Sequence, residues 1–140
     1  IKKKDYKCFV LLSDGECNEG SIWESALFAS ANNLDNIICF IDFNKWQATD
    51  RSNNIMKLEP FENKWKSFNW HVQRINGHDM DEIEISIKNA RNNRLHGPSM
   101  IIADTIKGKG VSFMEDDNNW HYRIPNKEEL QRALKELDLK

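Results

Sequence analysis

Apolar residues fall into contrasting patterns along the chain. Three runs are continuous: Cys8-Phe9-Val10-Leu11-Leu12, Ile37-Ile38-Cys39-Phe40-Ile41 and Met100-Ile101-Ile102-Ala103. The first stops at Ser13-Asp14-Gly15 and the second at Asp42-Phe43-Asn44, as expected of strands buried on both faces with a loop beyond their C-terminal ends. His71 to Ile75 alternates instead, a further strand closed by Asn76-Gly77. Helical spacing appears between these segments. Ser21 to Ala31 puts Trp23, Ala26, Leu27, Ser30 and Ala31 at helical intervals, and Asn32-Asn33 is the stop. Phe61 to Phe68 predicts a short helix with Phe61, Trp65 and Phe68 on one side. Asp79-Met80-Asp81-Glu82 has capping-box spacing and opens a helix striped by Ile83, Ile87 and Ala90. Asn126-Lys127-Glu128-Glu129 opens a C-terminal helix with Leu130, Leu134 and Leu137 inward. Lys45 to Asn54 is polar and reads as a loop.

Strands alternating with helices predict an α/β fold, a mainly parallel sheet with helices on both faces and right-handed crossovers. Residues 1–140 read as a single α/β domain. The first buried strand begins almost at Ile1, with no helix ahead of it to cover one face, so the expectation is the later part of a longer domain.

Composition narrows the partners. Twenty Lys and Arg against 22 Asp and Glu leave a net charge of −2, which argues against a dedicated nucleic-acid or membrane-surface binder. No apolar run approaches the ~20 residues that span a bilayer. Cys8, Cys17 and Cys39 have no paired CxxC spacing; a reducing, cytoplasmic setting fits them better than a disulfide framework or a zinc site.

The candidate chemistry sits at two strand ends. Ligands of open α/β sheets bind beyond the carboxyl ends of the strands. Asp14 follows the first strand and Asn44 the second, thirty positions later, with one helix between. If those strands are neighbours, a carboxylate and an amide oxygen face one crevice. Mg²⁺ takes oxygen ligands in octahedral geometry, commonly through few protein groups plus phosphate oxygens. Gly15, lacking a Cβ, lets a phosphate approach its backbone. Taken singly, Asp14-Gly15 is a turn and Asn44 a loop residue; the strand–loop–helix–strand context favours the joint cation–diphosphate site.

The run Ser13-Asp14-Gly15-Glu16-Cys17-Asn18-Glu19-Gly20-Ser21-Ile22-Trp23-Glu24 with Ile41-Asp42-Phe43-Asn44-Lys45 resembles the thiamine-diphosphate motif of transketolases. Thr105-Ile106-Lys107-Gly108-Lys109-Gly110-Val111-Ser112-Phe113-Met114-Glu115 and Trp120-His121 are similar to the same family. Three separated motifs in order, over essentially the whole chain, make the likeness specific, and it is nearest to the N-terminal, thiamine-diphosphate-binding subunit of split transketolases.

The resemblance implies thiamine diphosphate and Mg²⁺ as cofactors. Asp14 and Asn44 match side-chain ligands to the metal, and Trp46 matches a residue donating its backbone carbonyl. Gly15, Glu16, Asn44 and His121 form the implied cofactor-binding set. His121 stands eleven residues after Gly110, like the family histidine that touches diphosphate and substrate. Glu19 matches an interface glutamate that communicates with the glutamate protonating the aminopyrimidine ring. His121 and Glu19 are therefore the implied catalytic residues, and Lys107 to Gly110 a loop near the site. The implied reaction transfers a two-carbon ketol unit from a ketose phosphate to an aldose phosphate. The implied partner is a C-terminal, pyrimidine-binding subunit, in a heterotetramer or dimer of heterodimers. Ser13 stands where the family commonly has glycine, Trp46 where an aliphatic residue is common, and Asp50 where glycine is frequent. Another thiamine-diphosphate enzyme (a 1-deoxyxylulose-5-phosphate synthase or a 2-oxo acid dehydrogenase E1) and a non-catalytic relic subunit remain the alternatives. Among the other histidines, His78 is read as part of a turn and helix start, and His71 and His96 are given no role.

Overall fold

A computed structural model describes residues 6–93 and 97–138; the Lys2-Lys3-Lys4 run and His96 lie outside the described residues. Four strands, β1 (Cys8–Ser13), β2 (Ile37–Phe43), β3 (His71–Asn76) and β4 (Ser99–Asp104), form one all-parallel sheet in the order β1-β2-β4-β3. Helix α1 (Gly20–Ala31) joins β1 to β2, and α2 (Ser52–Ile55) and α3 (Phe61–Ser67) lead from β2 to β3. Helix α4 (Met80–Arg91) returns to β4, and α5 (Lys127–Glu136) follows a long loop segment.

Two of the three continuous apolar runs become the central strands β2 and β4 for a physical reason. Successive side chains of a strand point to opposite faces, so a strand covered on both faces is apolar throughout. On β2, Cys39, Ile41 and Phe43 join the larger core with Ala26 and Ala29 of α1 and Phe61 and Trp65 of α3. Ile38 packs with Ile101 of β4 and Ala90 of α4 in a smaller cluster, with Phe40 and Ile75 against it. Trp65 is the pillar of the larger core. Its ring lies 4.9 Å from that of Trp23 and 5.1 Å from that of Trp70, and the Trp70 indole N–H donates to the Ala26 carbonyl at 3.0 Å. Such aromatic pairs add about 0.5–1.5 kcal/mol each beyond area burial.

Four details depart from the sequence expectations. Strand β1 is not buried on both faces: Phe9 is 53% and Leu11 73% exposed, while Val10 and Leu12 pack inward. β1 is an edge strand, and the cluster built on α4 reaches β2 without extending over β1. On α1 the inward residues are Ala26 and Ala29 with Ile22 and Trp23; Leu27 and Ala31 face outward. Trp23 is drawn onto Trp65 and Phe68, and that contact sets the rotation of the helix. At α4, Asp79 caps the amides of Asp81 and Glu82, but Glu82 accepts the Asn76 N–H at 2.8 Å and so stitches the helix to β3. The capping box does form at α5 between Asn126 and Glu129. There Ala133 is the buried residue, while Leu130 and Leu137 remain 44% exposed. α5 docks through its end, with Glu136 accepting the Ser112 hydroxyl at 2.9 Å.

Among the described residues no helix is long and apolar enough to cross a membrane.

Candidate functional site

The register Ser13↔Asp42 makes β1 and β2 adjacent, so Asp14 and Asn44 emerge on the same C-terminal rim of the sheet. Asp14 begins the turn after β1 and is 1% exposed. One of its oxygens, Oδ2, accepts the Ser52 hydroxyl at 2.6 Å. The other, Oδ1, is buried with no hydrogen-bond partner. Burial pushes the Asp14 pKa up; the Ser52 hydroxyl and the nearby Gly15 and Lys45 amides oppose that, and the Asp42 charge reinforces it. Carboxylates are almost never buried unless paired, so an unpartnered buried oxygen is an invitation to a cation.

The Asn44 loop meets this carboxylate. Asn44 Oδ1 accepts the Trp46 amide at 2.9 Å, an Asx-type turn, and Lys45 takes left-handed backbone with φ 68°. Ser52 ties the corner together. It donates its hydroxyl to Asp14 and its amide to the Lys45 carbonyl at 3.0 Å. The backbone bonds of the Trp46–Arg51 bridge run from Gln47 to Asp50 and from Ser52 to Lys45, leaving the Trp46 carbonyl unused in that ladder. Among the described residues there is no cluster of three or more His, Cys, Asp or Glu side chains that would cage a metal. The donor set is one carboxylate oxygen, one amide oxygen and a backbone carbonyl. That set fits a hard cation which keeps most of its coordination for phosphate and water.

The remaining candidates fall in different places. Gly15 opens the 3-10 turn Gly15–Asn18. A Cβ there would meet Gln47 Cγ at 3.6 Å, ordinary contact, so the protein's own packing does not demand glycine. Glu16 directs Oε2 to the Ser13 amide at 2.7 Å and thereby closes the turn. Glu19 is the N-cap residue of α1; its side chain makes no capping bond and is exposed. His121 ends the 3-10 turn Asn118–His121 and is exposed, its ring edge-on to Tyr122 at 4.8 Å. Trp120 does not pair with it: the indole N–H donates to the Phe113 carbonyl at 2.9 Å and the ring packs on Phe113.

Asn44 and Trp46 are joined by a hydrogen bond, and Ser52 links Asp14 to their loop through the Lys45 carbonyl, whereas His121 is connected to that loop only through its neighbours. Beyond β2 and β4 lies a cleft of about 490 Å³ lined by Asp42, Asn44, His78 and Thr105 to Lys109. The turn and helix start expected at His78 is present, and its amide donates to Asn76 Oδ1 at 3.0 Å. Its Nε2 also accepts the Ile106 amide at 2.8 Å, so the ring holds the loop after β4 against the cleft. The position of His78 just past a strand's carboxyl end is the signal that sequence reasoning passed over. Ser52 carries none, lying in a polar stretch with nothing to mark it. In the loop after β4, Gly108 is required by shape: its φ is 72°, and a Cβ would fall 2.4 Å from the Met114 carbonyl oxygen.

A half-buried ion network supports the rim from β3. Arg74 Nε meets Asp104 Oδ2 at 2.7 Å, its Nη1 meets Glu59 at 2.9 Å, and Lys45 reaches Asp104 at 3.4 Å. The Arg74 guanidinium holds the Asp104 carboxyl below its usual range despite burial, with Lys45 adding to the effect.

A parallel α/β sheet with a buried carboxylate and an amide on neighbouring strand ends has the architecture of a domain that takes its ligand beyond the carboxyl ends of its strands. Comparison with known proteins gives the class its family. The family model for the transketolase thiamine diphosphate binding domain matches residues 1–139, and the chain belongs to that family. A 6-deoxy-6-sulfo-D-fructose transketolase subunit of Clostridium sp. (strain MSTE9) is 44% identical over 131 residues, 93% of this chain and 47% of that protein. An apulose-4-phosphate transketolase subunit of Phocaeicola vulgatus is 37% identical, over 98% of this chain and 48% of that protein. The solved transketolase of Campylobacter jejuni superposes with a TM-score of 0.90 at 26% identity, over 97% of this chain and 21% of that one. The chain spans about half the length of these two bacterial subunits.

Proposed function

We propose that the chain is the diphosphate-holding part of a transketolase-type enzyme, binding Mg²⁺ and thiamine diphosphate at the Asp14–Asn44 rim. The single observation that carries this is the buried, unpartnered Asp14 Oδ1 beside the Asn44–Trp46 loop, in a chain of this family. In this reading Asp14 Oδ1, Asn44 Oδ1 and the Trp46 carbonyl hold the cation, and the Gly15 backbone faces the diphosphate. Thiamine diphosphate supplies, when bound, the carbon nucleophile that cleaves and forms the bond next to a sugar carbonyl. The protein's share is placement: anchoring the diphosphate end fixes where the reactive ring lies. His121, exposed and polar, orients sugar hydroxyls and exchanges protons with them. Glu19, exposed at the start of α1, shares a proton with the glutamate of the pyrimidine-binding partner. Glu16 shapes the turn that presents Gly15.

The two bacterial relatives are named as subunits and for different sugars. We therefore propose that the partner is a second, pyrimidine-binding subunit, that sugar phosphates are the substrate class, and that ketol transfer is the reaction. Calorimetry on the complete assembly tests the site. Asp14→Ala is expected to weaken Mg²⁺-dependent thiamine diphosphate binding by about 100-fold or more, beyond the ~10–100-fold typical of groups that only support a metal ligand. Unchanged affinity would overturn the assignment.

A further inference from the structure

Away from the buried corner, a dense set of polar contacts ties two loops far apart in sequence. Asp116 takes left-handed backbone (φ 56°), and its amide donates to the Lys107 carbonyl at 2.8 Å. Its carboxylate accepts three bonds: from the Trp46 indole N–H at 2.8 Å, Arg51 Nη1 at 2.7 Å and Arg51 Nη2 at 2.5 Å. The Arg51 guanidinium carbon also lies 3.7 Å from the centre of the Trp46 ring. Two residues on, the Asn118 side-chain Nδ2 donates to the carbonyls of Gln47 and Ala48, both at 3.0 Å. Each of these bonds from 46–51 to 116–118 joins the loop after Asn44 to the run that leads into His121.

We propose that Trp46, Arg51 and Asp116 form a clasp that positions His121 against the cation-holding loop, with Arg51 and Asp116 as positioning residues. The proposal rests on the cofactor reading above and adds a cause for the Trp46 side chain. A residue needed only for its carbonyl can carry any side chain, and an aliphatic one has no N–H to give Asp116. The bidentate Arg–carboxylate fork and the cation–π stack are directional contacts. At this exposure each stabilises the fold only modestly. Their consequence is geometric: the segment 116–121 cannot shift without moving the loop that offers the Trp46 carbonyl.

A double-mutant cycle separates positioning from plain stabilisation. Affinity for thiamine diphosphate with Mg²⁺ is measured by calorimetry on the complete assembly for the unaltered protein, Asp116→Ala, His121→Ala and the double variant. The clasp predicts a fivefold to tenfold loss for Asp116→Ala, shrinking to less than twofold once His121 is absent. Arg51→Lys, which keeps the charge and loses the fork, should behave as Asp116→Ala does. Equal losses in both backgrounds, or none in either, would overturn the clasp. Asp14→Ala measured alongside keeps the two claims apart. If it leaves binding intact, the cofactor reading itself has failed. If it abolishes binding while Asp116 and His121 act additively, only the clasp has failed. Hydrogen exchange gives a readout without cofactor: amides 116–121 should exchange faster in Asp116→Ala, and unchanged exchange would count against the clasp.

Discussion

At one end of the strand-end rim, Asp14 and Ser52 are each 1% exposed and joined at 2.6 Å. At the other end, His121 stands in solvent, and the Asp116 side chain that helps hold its segment is 52% exposed. The first region is set by packing and cannot move without opening the core. The second is set by a few polar contacts that solvent competes for. The two ends of the rim thus differ in how firmly each is held.

The contrast can be broken from its rigid side first. Trp65→Ala removes the pillar of the larger core and is expected to cost about 3–5 kcal/mol in chemical denaturation. A loss under about 1 kcal/mol, the size of an ordinary surface substitution's effect, would mean that this core does not depend on Trp65. Gly108→Ala probes the other side at a turn that sterics make rigid. Its φ of 72° and the approach of the Met114 carbonyl predict a loss of about 1–3 kcal/mol. Ser52→Ala sharpens the comparison at the ligand itself: without the hydroxyl, Asp14 loses the side-chain hydrogen bond that orients it, and cation affinity should fall about tenfold, with Ser52→Thr restoring it. Titration with Mn²⁺ reads this directly.

The smallest effect belongs to the half-buried network. Arg74→Met is expected to cost about 1 kcal/mol, less at high salt. The Asp104 pKa is depressed by Arg74, so the stability from this pair is fully present above the ordinary carboxylate pKa of about 3.9 and is lost as pH falls through the lower folded value. The variant should show a shallower loss of stability in acid.

Much of the fold was legible in the chain because β2 and β4 are central: Ile37 to Ile41 and Met100 to Ala103 are apolar on both faces, and nothing but a covered strand requires that. The same pattern did not give the burial of β1 among the described residues, where Phe9 and Leu11 are as apolar as Ile38 and Ile41 yet lie exposed on an edge strand. Hydropathy records what a residue prefers, not what covers it. Leucine spacing misled likewise on α5, which docks through Ala133 and Glu136. That Asp14 and Asn44 lie on one rim was readable because neighbouring parallel strands end on the same side of the sheet. The roles of Ser52, His78 and Asp116 were not, since each depends on a contact between segments distant in sequence, which no local pattern encodes.

The central claim is that Asp14 and the Asn44–Trp46 loop share one divalent ion. A crystal structure of the complete assembly with Mn²⁺ and thiamine diphosphate, with the ion located by its anomalous signal, tests it most directly. The account predicts a single peak within about 2.3 Å of Asp14 Oδ1, Asn44 Oδ1 and the Trp46 carbonyl oxygen. A peak at the diphosphate that leaves Asp14 Oδ1 uncoordinated would contradict it.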